Sequence, residues 1–195
     1  MTILKENHYE KRFGIETNKR INTCSKVGLY ADGYEYSAAS YHTLEKLVRH
    51  LILKSDDICV DIGCGQGRIV CFLAMQNVKR VIGIEVIEEL AKIAKENIKN
   101  MKIRPTMPVD IHTCDAAEFD YSECTIFIFF NPFGLRTLSR VVNNIESTVI
   151  SHPRNIKIIY YGTKYRDHLD SMEWLIFEEK VKDTELYIWR NRINS

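Results

Sequence analysis

The sequence lacks the features that would divide it into several parts or attach it to a membrane. Its 195 residues contain only 4 prolines and 9 glycines, and no linker or repeat interrupts them. No apolar run is long enough to span a bilayer, and residues 1–12 are charged where a signal peptide would be apolar. We therefore expect one compact domain in the cytoplasm, without membrane attachment.

Excess charge and metal-binding motifs are also missing. The 27 basic and 26 acidic residues leave a formal net charge of +1, so the composition gives no signal for nucleic-acid binding. The 6 cysteines form no C-x-x-C pair, and the histidines show no H-E-x-x-H spacing. We therefore expect free, mostly buried thiols and no metal ion.

The most informative segment covers residues 58–75. An apolar run with Asp61 near its end precedes three alternate glycines, and an apolar pattern of helical spacing follows them. This order predicts a strand, a tight turn and a helix. Gly63, Gly65 and Gly67 permit backbone conformations that other residues avoid, and they would let a ligand approach the N–H groups at the start of the helix.

Two residues, Arg68 and Asp61, indicate which class of ligand this turn would bind. A dinucleotide-binding fingerprint requires glycine where this sequence has Arg68. The carboxylate of Asp61 suits an ammonium group better than a pyrophosphate. The pattern D-x-G-x-G-x-G resembles the first motif of class I S-adenosylmethionine-dependent methyltransferases. That resemblance spans about residues 44–190, and it implies that S-adenosylmethionine, with S-adenosylhomocysteine as product, is held by Asp61, Gly63, Cys64, Gly65 and Gly67.

Alternating apolar patterns predict an α/β fold with a mostly parallel, seven-stranded sheet and a C-terminal antiparallel pair. The resemblance implies that this sheet is Rossmann-like and doubly wound, with the last strand inserted between the fifth and the sixth. We predict a methyltransferase domain over residues 41–195 and an N-terminal arm over residues 1–40, which is also a candidate lid. The predicted strands are 58–62, 80–85, 109–113, 124–130, 155–161, 174–180 and 185–190. The predicted helices are 41–53, 69–76, 87–100, 135–150 and a short one within 163–172.

Two further acids follow predicted strands. Glu85 ends the second strand some twenty residues beyond the glycine turn, where an acid can accept hydrogen bonds from ribose hydroxyls. The alternative is an exposed acid at a strand end. Asp115 follows the third strand, where the resemblance implies that Asp115 and Ala116 contact the adenine ring. Asp115 could also cap a short helix, and the two roles are compatible.

The fourth predicted strand ends in Asn131-Pro132-Phe133-Gly134. This segment resembles the Asn-Pro-Pro-aromatic motif of amine-methylating members of the family, except that Phe133 replaces the second proline. The resemblance implies that Asn131, Pro132 and Phe133 line the methyl-transfer pocket beside the cofactor. It favours a nitrogen acceptor on a small molecule or a protein side chain. A strand-ending turn without function is the alternative.

Several tyrosines surround the predicted site. Tyr30, Tyr34 and Tyr36 lie in a segment that is either a lid over the pocket or a loop packed on the surface. Tyr161 ends the fifth predicted strand and could border the acceptor. Two other functions remain open at this stage. They are a binding module that keeps the cofactor site without catalysis, and a nicotinamide-dependent oxidoreductase, which Arg68 and Asp61 disfavour.

Overall fold

A computed structural model describes residues 2–19, 32–33 and 36–192. Its centre is a seven-stranded sheet in the order β3-β2-β1-β4-β5-β7-β6. The strands are β1 Ile58–Ile62, β2 Arg80–Glu85, β3 Val109–Thr113, β4 Ile126–Phe129, β5 Lys157–Tyr161, β6 Leu175–Lys180 and β7 Leu186–Asn191. The first five strands are parallel, and β7 runs antiparallel between β5 and β6. The predicted fold class is confirmed.

The sheet reverses its strand order beside β1. This strand pairs with β2 on one side and with β4 on the other, so the connections that follow β1 and β4 leave in opposite directions, toward β2 and β5. All five residues of β1 and all four of β4 are buried, as expected for parallel strands covered on both faces. Such a reversal leaves a crevice at the carboxyl ends of the strands, where ligands bind in open α/β sheets.

Helices cover both faces of the sheet. Their bounds are α1 Thr2–Phe13, α2 Tyr41–Leu51, α3 Arg68–Leu73, α4 Glu88–Asn100, α5 Leu135–Ser151 and α6 Arg166–Asp170. Helix α2 begins directly after Ser40. The Ser40 side chain accepts a hydrogen bond from the Thr43 N–H and caps the helix. Helix α3 is shorter than the apolar pattern suggested and ends at Leu73.

The N-terminal residues fold against this domain. Helix α1 contacts α2, and the ring of Tyr9 stacks on Tyr41 with centroids 4.5 Å apart. Tyr41 and Phe13 are both buried in the same apolar cluster as α2 and α3. The described part of the N-terminal arm predicted over residues 1–40 thus contains a packed helix.

The described cysteines are free thiols, as the sequence predicted. Five cysteines are free, four of them buried, and Cys24 lies outside the described residues. Burial raises the pKa of Cys71 to about 12, so its thiol stays protonated. Within the described ranges, no helix is long and apolar enough to cross a membrane.

Candidate cofactor and methyl-transfer site

A cavity of about 520 Å³ opens at the carboxyl ends of β1, β2 and β4. Ten of the predicted site residues line it: Asp61, Gly63, Cys64, Glu85, Asp115, Ala116, Asn131, Pro132, Phe133 and Tyr36. They come from four strand ends and from the segment before α2. The topology therefore brings together side chains that are up to 97 positions apart in the sequence.

The glycine turn is shaped by the chain itself. Gly63, Gly65 and Gly67 have φ values of 78°, 53° and 83°, in the left-handed region that favours glycine. A Cβ on Gly63 would overlap Pro132, and one on Gly65 would overlap the ring of Tyr36. These glycines therefore allow the acceptor loop and the N-terminal segment to approach the turn.

The N–H groups of the turn are occupied by protein acceptors. Those of Gly63 and Cys64 both donate to the Ile84 carbonyl at 2.9 Å, and that of Gly67 donates to the Cys64 carbonyl at 2.8 Å. These three N–H groups hold the turn itself together and are not available to a ligand. An anion such as pyrophosphate needs free donors, so this turn is poorly suited to it.

Asp61 is the most unusual residue of the cavity. Its side chain is 1% exposed, and in the part of the chain that the structure describes neither carboxylate oxygen has a hydrogen-bond partner. Burial, together with the smaller effect of the nearby Glu85 charge, raises the pKa of Asp61 to about 8. A buried carboxylate without a partner is costly, and a cationic ligand in the cavity would supply the missing hydrogen bonds.

Glu85 connects β2 to the glycine turn. One carboxylate oxygen accepts the Gly65 N–H at 2.8 Å, and the other accepts the Ile87 N–H at 2.9 Å. Burial raises the pKa of Glu85, whereas these backbone hydrogen bonds lower it and leave a smaller net rise. Glu85 is buried and therefore is not an exposed acid at a strand end. Its carboxylate holds the turn and still faces the cavity.

Asp115 is held by the fold. One oxygen accepts the Ala117 N–H at 2.9 Å and caps the short 3₁₀ helix Ala116–Glu118. The other oxygen accepts a hydrogen bond from Arg140 at 3.1 Å. The predicted capping role of Asp115 is confirmed. Asp115 and Ala116, the two residues predicted to contact the adenine ring, both line the cavity. Arg140, which the sequence analysis did not single out, is half-exposed at the same edge.

The Asn-Pro-Phe segment closes the other side of the cavity. Asn131 follows β4 with a φ of 52°, and its side-chain oxygen lies 3.4 Å from the hydroxyl of Tyr160, which donates to it. Phe133 is 9% exposed and packs edge-on against Phe129, with centroids 6.2 Å apart. Its backbone pairs with Gly33 of the N-terminal segment. Asn131 thus offers an exposed amide, whereas Phe133 is mainly a core residue.

The predicted tyrosines differ in position. Tyr30 and Tyr34 lie outside the described residues. Tyr36 is half-buried, lines the cavity and donates its hydroxyl to the Thr17 carbonyl at 2.8 Å. Tyr161 stacks on Phe130 at 4.0 Å between ring centroids. It is Phe130, rather than Tyr161, that lines the cavity.

Arg68 is the functional candidate that the sequence analysis missed. It is 3% exposed, and its guanidinium contacts Glu6, Glu10, Thr17 and the Ala39 carbonyl. In the sequence, Arg68 is notable only for replacing the glycine of a dinucleotide fingerprint. One signal was available: an arginine at the first position of an otherwise apolar helix needs partners when it is buried.

The described residues fit the cofactor that the resemblance implies. A zwitterionic sulfonium compound carries an ammonium group and a positive sulfur, and the cavity offers an unpartnered carboxylate at Asp61 and a second acid at Glu85. Ile84, Ile87 and Leu90 add apolar side chains to the lining of the cavity. Within the described ranges, no group of three or more His, Cys, Asp or Glu residues could hold a metal ion.

The fold is shared with solved methyltransferases. An RNA methyltransferase from Salinibacter ruber, in complex with S-adenosyl-L-homocysteine, superposes with a TM-score of 0.56 at 17% sequence identity. The superposition covers 80% of this chain and 94% of that one. At this identity the likeness concerns the fold.

The chain therefore has the fold of class I S-adenosylmethionine-dependent methyltransferases, and its glycine motif resembles theirs. Residues 30–122, just under half of the chain, match the family model described as "Histone methylation protein DOT1".

Two curated relatives point in the same direction. A Dictyostelium discoideum protein named "Histone-lysine N-methyltransferase, H3 lysine-79 specific" is 35% identical over 100 residues, which are 44% of this chain and 5% of that protein. A Saccharolobus islandicus "Protein-lysine N-methyltransferase" is 36% identical over 93 residues, 45% of this chain and 56% of that protein. The chain therefore matches at most about half the length of these relatives.

Proposed function

We propose that this protein transfers a methyl group from S-adenosylmethionine to the side-chain amine of a protein lysine. The observation that carries the cofactor part is Asp61, a buried carboxylate that faces the cavity without a partner. Because such a group destabilises the ligand-free protein, its presence is explained if a cation binds there. The neighbouring turn leaves no free N–H at Gly63, Cys64, Gly65 or Gly67, which disfavours a pyrophosphate cofactor.

The roles of the cofactor residues follow from their positions. Asp61 accepts hydrogen bonds from the ammonium group. The turn contacts the methionine part through Gly63 and Cys64, which line the cavity, whereas the predicted residues Gly65 and Gly67 do not line it. Glu85 keeps the turn in place and accepts from the ribose hydroxyls with its remaining lone pairs. Asp115 and Ala116 border the adenine ring. When bound, S-adenosylmethionine supplies an electrophilic methyl group, whose bond to sulfur breaks as the lone pair of the acceptor nitrogen forms the new bond.

The acceptor is proposed from sequence similarity and from the pocket. Both curated relatives are named as lysine methyltransferases, and the match to the family model covers the glycine turn, Glu85 and Asp115. The amide of Asn131 is exposed where β4 ends, and the ring of Phe130 lines the same side. A side-chain oxygen accepts from an amine, and an aromatic face favours a cation or a methylated amine.

The acceptor amine must lose a proton before it attacks. Among the described residues that line the cavity there is neither histidine nor lysine. The acids Asp61 and Glu85 already have the roles given above. We therefore assign deprotonation to solvent, helped by the loss of water around the amine when it enters the pocket, which lowers its pKa. Asn131 then orients the neutral amine, and positioning supplies most of the rate enhancement.

The cofactor is tested by calorimetric titration with S-adenosylhomocysteine, with NAD as the control ligand. We expect micromolar binding of the first and none of the second. Binding of NAD alone would mean that the cavity accepts a dinucleotide, and binding of neither would contradict the proposed cofactor.

The acceptor is tested with radioactive methyl groups on S-adenosylmethionine. Basic proteins, including histones, and small amines are offered in parallel, and hydrolysed products are analysed for methyllysine. We expect label in protein-bound lysine. Label only in small amines would overturn the protein acceptor while leaving the cofactor intact. Cofactor binding without transfer to any acceptor would favour a binding module.

Asn131→Ala separates transfer from cofactor binding. We expect this variant to lose most of its transfer, by about 100-fold, because an acceptor out of position loses much of the benefit of orientation. Its affinity for S-adenosylhomocysteine should stay within about threefold, since a single exposed contact is weak. Asn143→Ala is the matched control, because Asn143 is exposed on α5 outside the cavity. Full transfer by Asn131→Ala would contradict the placement of the acceptor.

A further inference from the structure

Arg68 links the cofactor turn to three separate parts of the N-terminal region. Its Nη1 donates to Glu6 at 2.5 Å and to the Ala39 carbonyl at 2.8 Å, and its Nη2 lies 3.2 Å from Glu10. Its Nε donates to the Thr17 hydroxyl at 2.7 Å. The guanidinium therefore binds helix α1, the segment after it and the residues before α2 at one point.

This contact leads directly to Tyr36. The Thr17 hydroxyl that accepts from Arg68 also donates to Glu10 at 2.5 Å, and the Thr17 N–H donates to the same carboxylate at 2.9 Å. The Thr17 carbonyl accepts the hydroxyl of Tyr36 at 2.8 Å. A continuous set of hydrogen bonds thus runs from Arg68 through Thr17 to Tyr36, whose ring lies over Gly65 and forms a wall of the cavity.

A second set of contacts fixes the same segment to the turn. The buried side chain of Gln66 exchanges two hydrogen bonds with the backbone of Lys19, at 2.7 and 3.0 Å. Asn97 of α4 bonds the backbone of Glu16 through both its donor and its acceptor, and it also donates to the Gln66 carbonyl at 3.0 Å. Residues 16–19 therefore run along the outer side of the turn.

The charges make Arg68 the critical member. Glu6 and Glu10 are only 17% and 14% exposed, and Arg68 is the cation that both contact within 3.2 Å. Removing the guanidinium would leave two poorly hydrated carboxylates together. Water would reach the carboxylates of Glu6 and Glu10 if α1 and residues 15–19 separated from the turn. We therefore expect this separation when Arg68 is replaced.

We propose that Arg68 is a positioning residue that acts through Tyr36: it fixes residues 6–19 and 36–39 against the glycine turn, so that the Tyr36 ring closes the cofactor cavity. Release of these contacts opens the cavity at Gly65 for exchange of cofactor and product. The cofactor part of this inference rests on the proposed function. The positioning part concerns contacts within the chain and can be measured without any ligand.

The first experiment is hydrogen–deuterium exchange on the full, ligand-free chain. We expect Arg68→Met to speed exchange in peptides that cover residues 15–19 and 36–39, with little change in β4 and β5. Arg68→Lys should lie between this variant and the wild type, because it keeps the charge but loses the planar set of donors. Arg154→Lys is the matched control, since Arg154 also donates to several carbonyls, at Cys124, Tyr121 and Thr148, but far along the chain from the turn.

The second experiment measures affinity and dissociation rate for S-adenosylhomocysteine in a double-mutant cycle. Arg68→Met and Tyr36→Ala should each weaken binding about tenfold, mainly through faster dissociation. The double variant should be no weaker than the poorer single variant, because both changes open the same wall. A merely stabilising role of Arg68 would lower the melting temperature and give additive effects on affinity.

The outcomes distinguish the two proposals. If the wild type does not bind S-adenosylhomocysteine, the proposed function and the closing role fail together, while the exchange data still decide whether Arg68 fixes the segment. If the wild type binds, unchanged exchange in Arg68→Met, or additive losses in the cycle, would overturn this inference and leave the proposed function untouched.

Discussion

Two aspartates at the ends of parallel strands line the same cavity and have opposite surroundings. Asp61 is 1% exposed, and neither of its oxygens has a hydrogen-bond partner among the described residues. The Asp115 side chain is 37% exposed, and the Ala117 N–H and Arg140 each bind one of its oxygens. The contacts of Asp115 give it a structural role within the fold. The role that we propose for Asp61, by contrast, requires a ligand.

Among the variants of these acids, we expect the largest loss of ligand affinity when the charge of Asp61 is removed. Asp61→Asn keeps the shape of the side chain, and we expect it to weaken S-adenosylhomocysteine binding at pH 8.5 by about 30-fold, which corresponds to about 2 kcal/mol for a hydrogen bond to a charged group. The measurement is calorimetric titration. The melting temperature at pH 7 should barely change, because the wild-type carboxyl is then largely protonated. Equal affinity of the two proteins would contradict the role of Asp61.

The pH dependence tests the same carboxylate without mutation. The folded pKa of Asp61 is raised from 3.8 to about 8, so the ligand-free folded state keeps a proton that the unfolded chain releases. Stability contributed by this group is therefore present at low pH and is lost as the pH rises from about 4 to about 8. A cationic ligand prefers the ionised form, so its affinity should instead increase by about tenfold between pH 7 and pH 8.5.

Buffers of different ionisation enthalpy provide the control for this pH dependence. At pH 7, binding to the wild type should release close to one proton, and binding to Asp61→Asn should release almost none. A wild-type affinity that is flat between pH 7 and pH 8.5 would mean that Asp61 is already ionised or does not contact the ligand.

Glu85 is intermediate between the two aspartates, because it is buried like Asp61 and partnered like Asp115. Glu85→Gln offers only one acceptor oxygen to the N–H groups of Gly65 and Ile87, so the turn is held less firmly. We expect about tenfold weaker binding of S-adenosylhomocysteine by calorimetry, near 1.5 kcal/mol. Glu88→Gln, an exposed change three residues later, is the control. Similar affinities for the two variants would contradict the role of Glu85.

The smallest effect is expected at Asp115. Asp115→Asn keeps an oxygen to cap Ala117 and weakens only a half-exposed contact with Arg140, which is worth less than about 1 kcal/mol. We expect a twofold to threefold loss of affinity for S-adenosylhomocysteine. A loss as large as that of Asp61→Asn would remove the distinction between the two acids.

The sequence predicted the sheet well because its strands are continuous apolar runs. The bounds of β1, β2 and β3 were exact, and β7 was correctly expected between β5 and β6. The position of Asp61 at a strand end also followed from the pattern. These features depend on local periodicity and on the restricted ways in which parallel strands connect.

The contacts of the N-terminal segment could not be predicted in the same way. Arg68 meets Glu6, Glu10 and Thr17 across 51 to 62 positions, and nothing in local spacing pairs these residues. The sequence also assigned the space at Gly65 to a ligand, whereas the Tyr36 ring fills it. Phe133 resembles part of a substrate motif and is largely buried instead. In each case a tertiary contact determined the role.

The insertion of β7 between β5 and β6 also has a consequence for synthesis of the protein. β5 has the sequence Lys-Ile-Ile-Tyr-Tyr. One of its edges pairs with β4, and within the described residues the other edge pairs with β7, residues 186–191. Until the ribosome has made those residues, the nascent chain presents an unpaired apolar edge, which is a template for aggregation. We therefore expect the nascent protein to engage chaperones late in translation and to complete its sheet in a single step when Trp189 becomes buried.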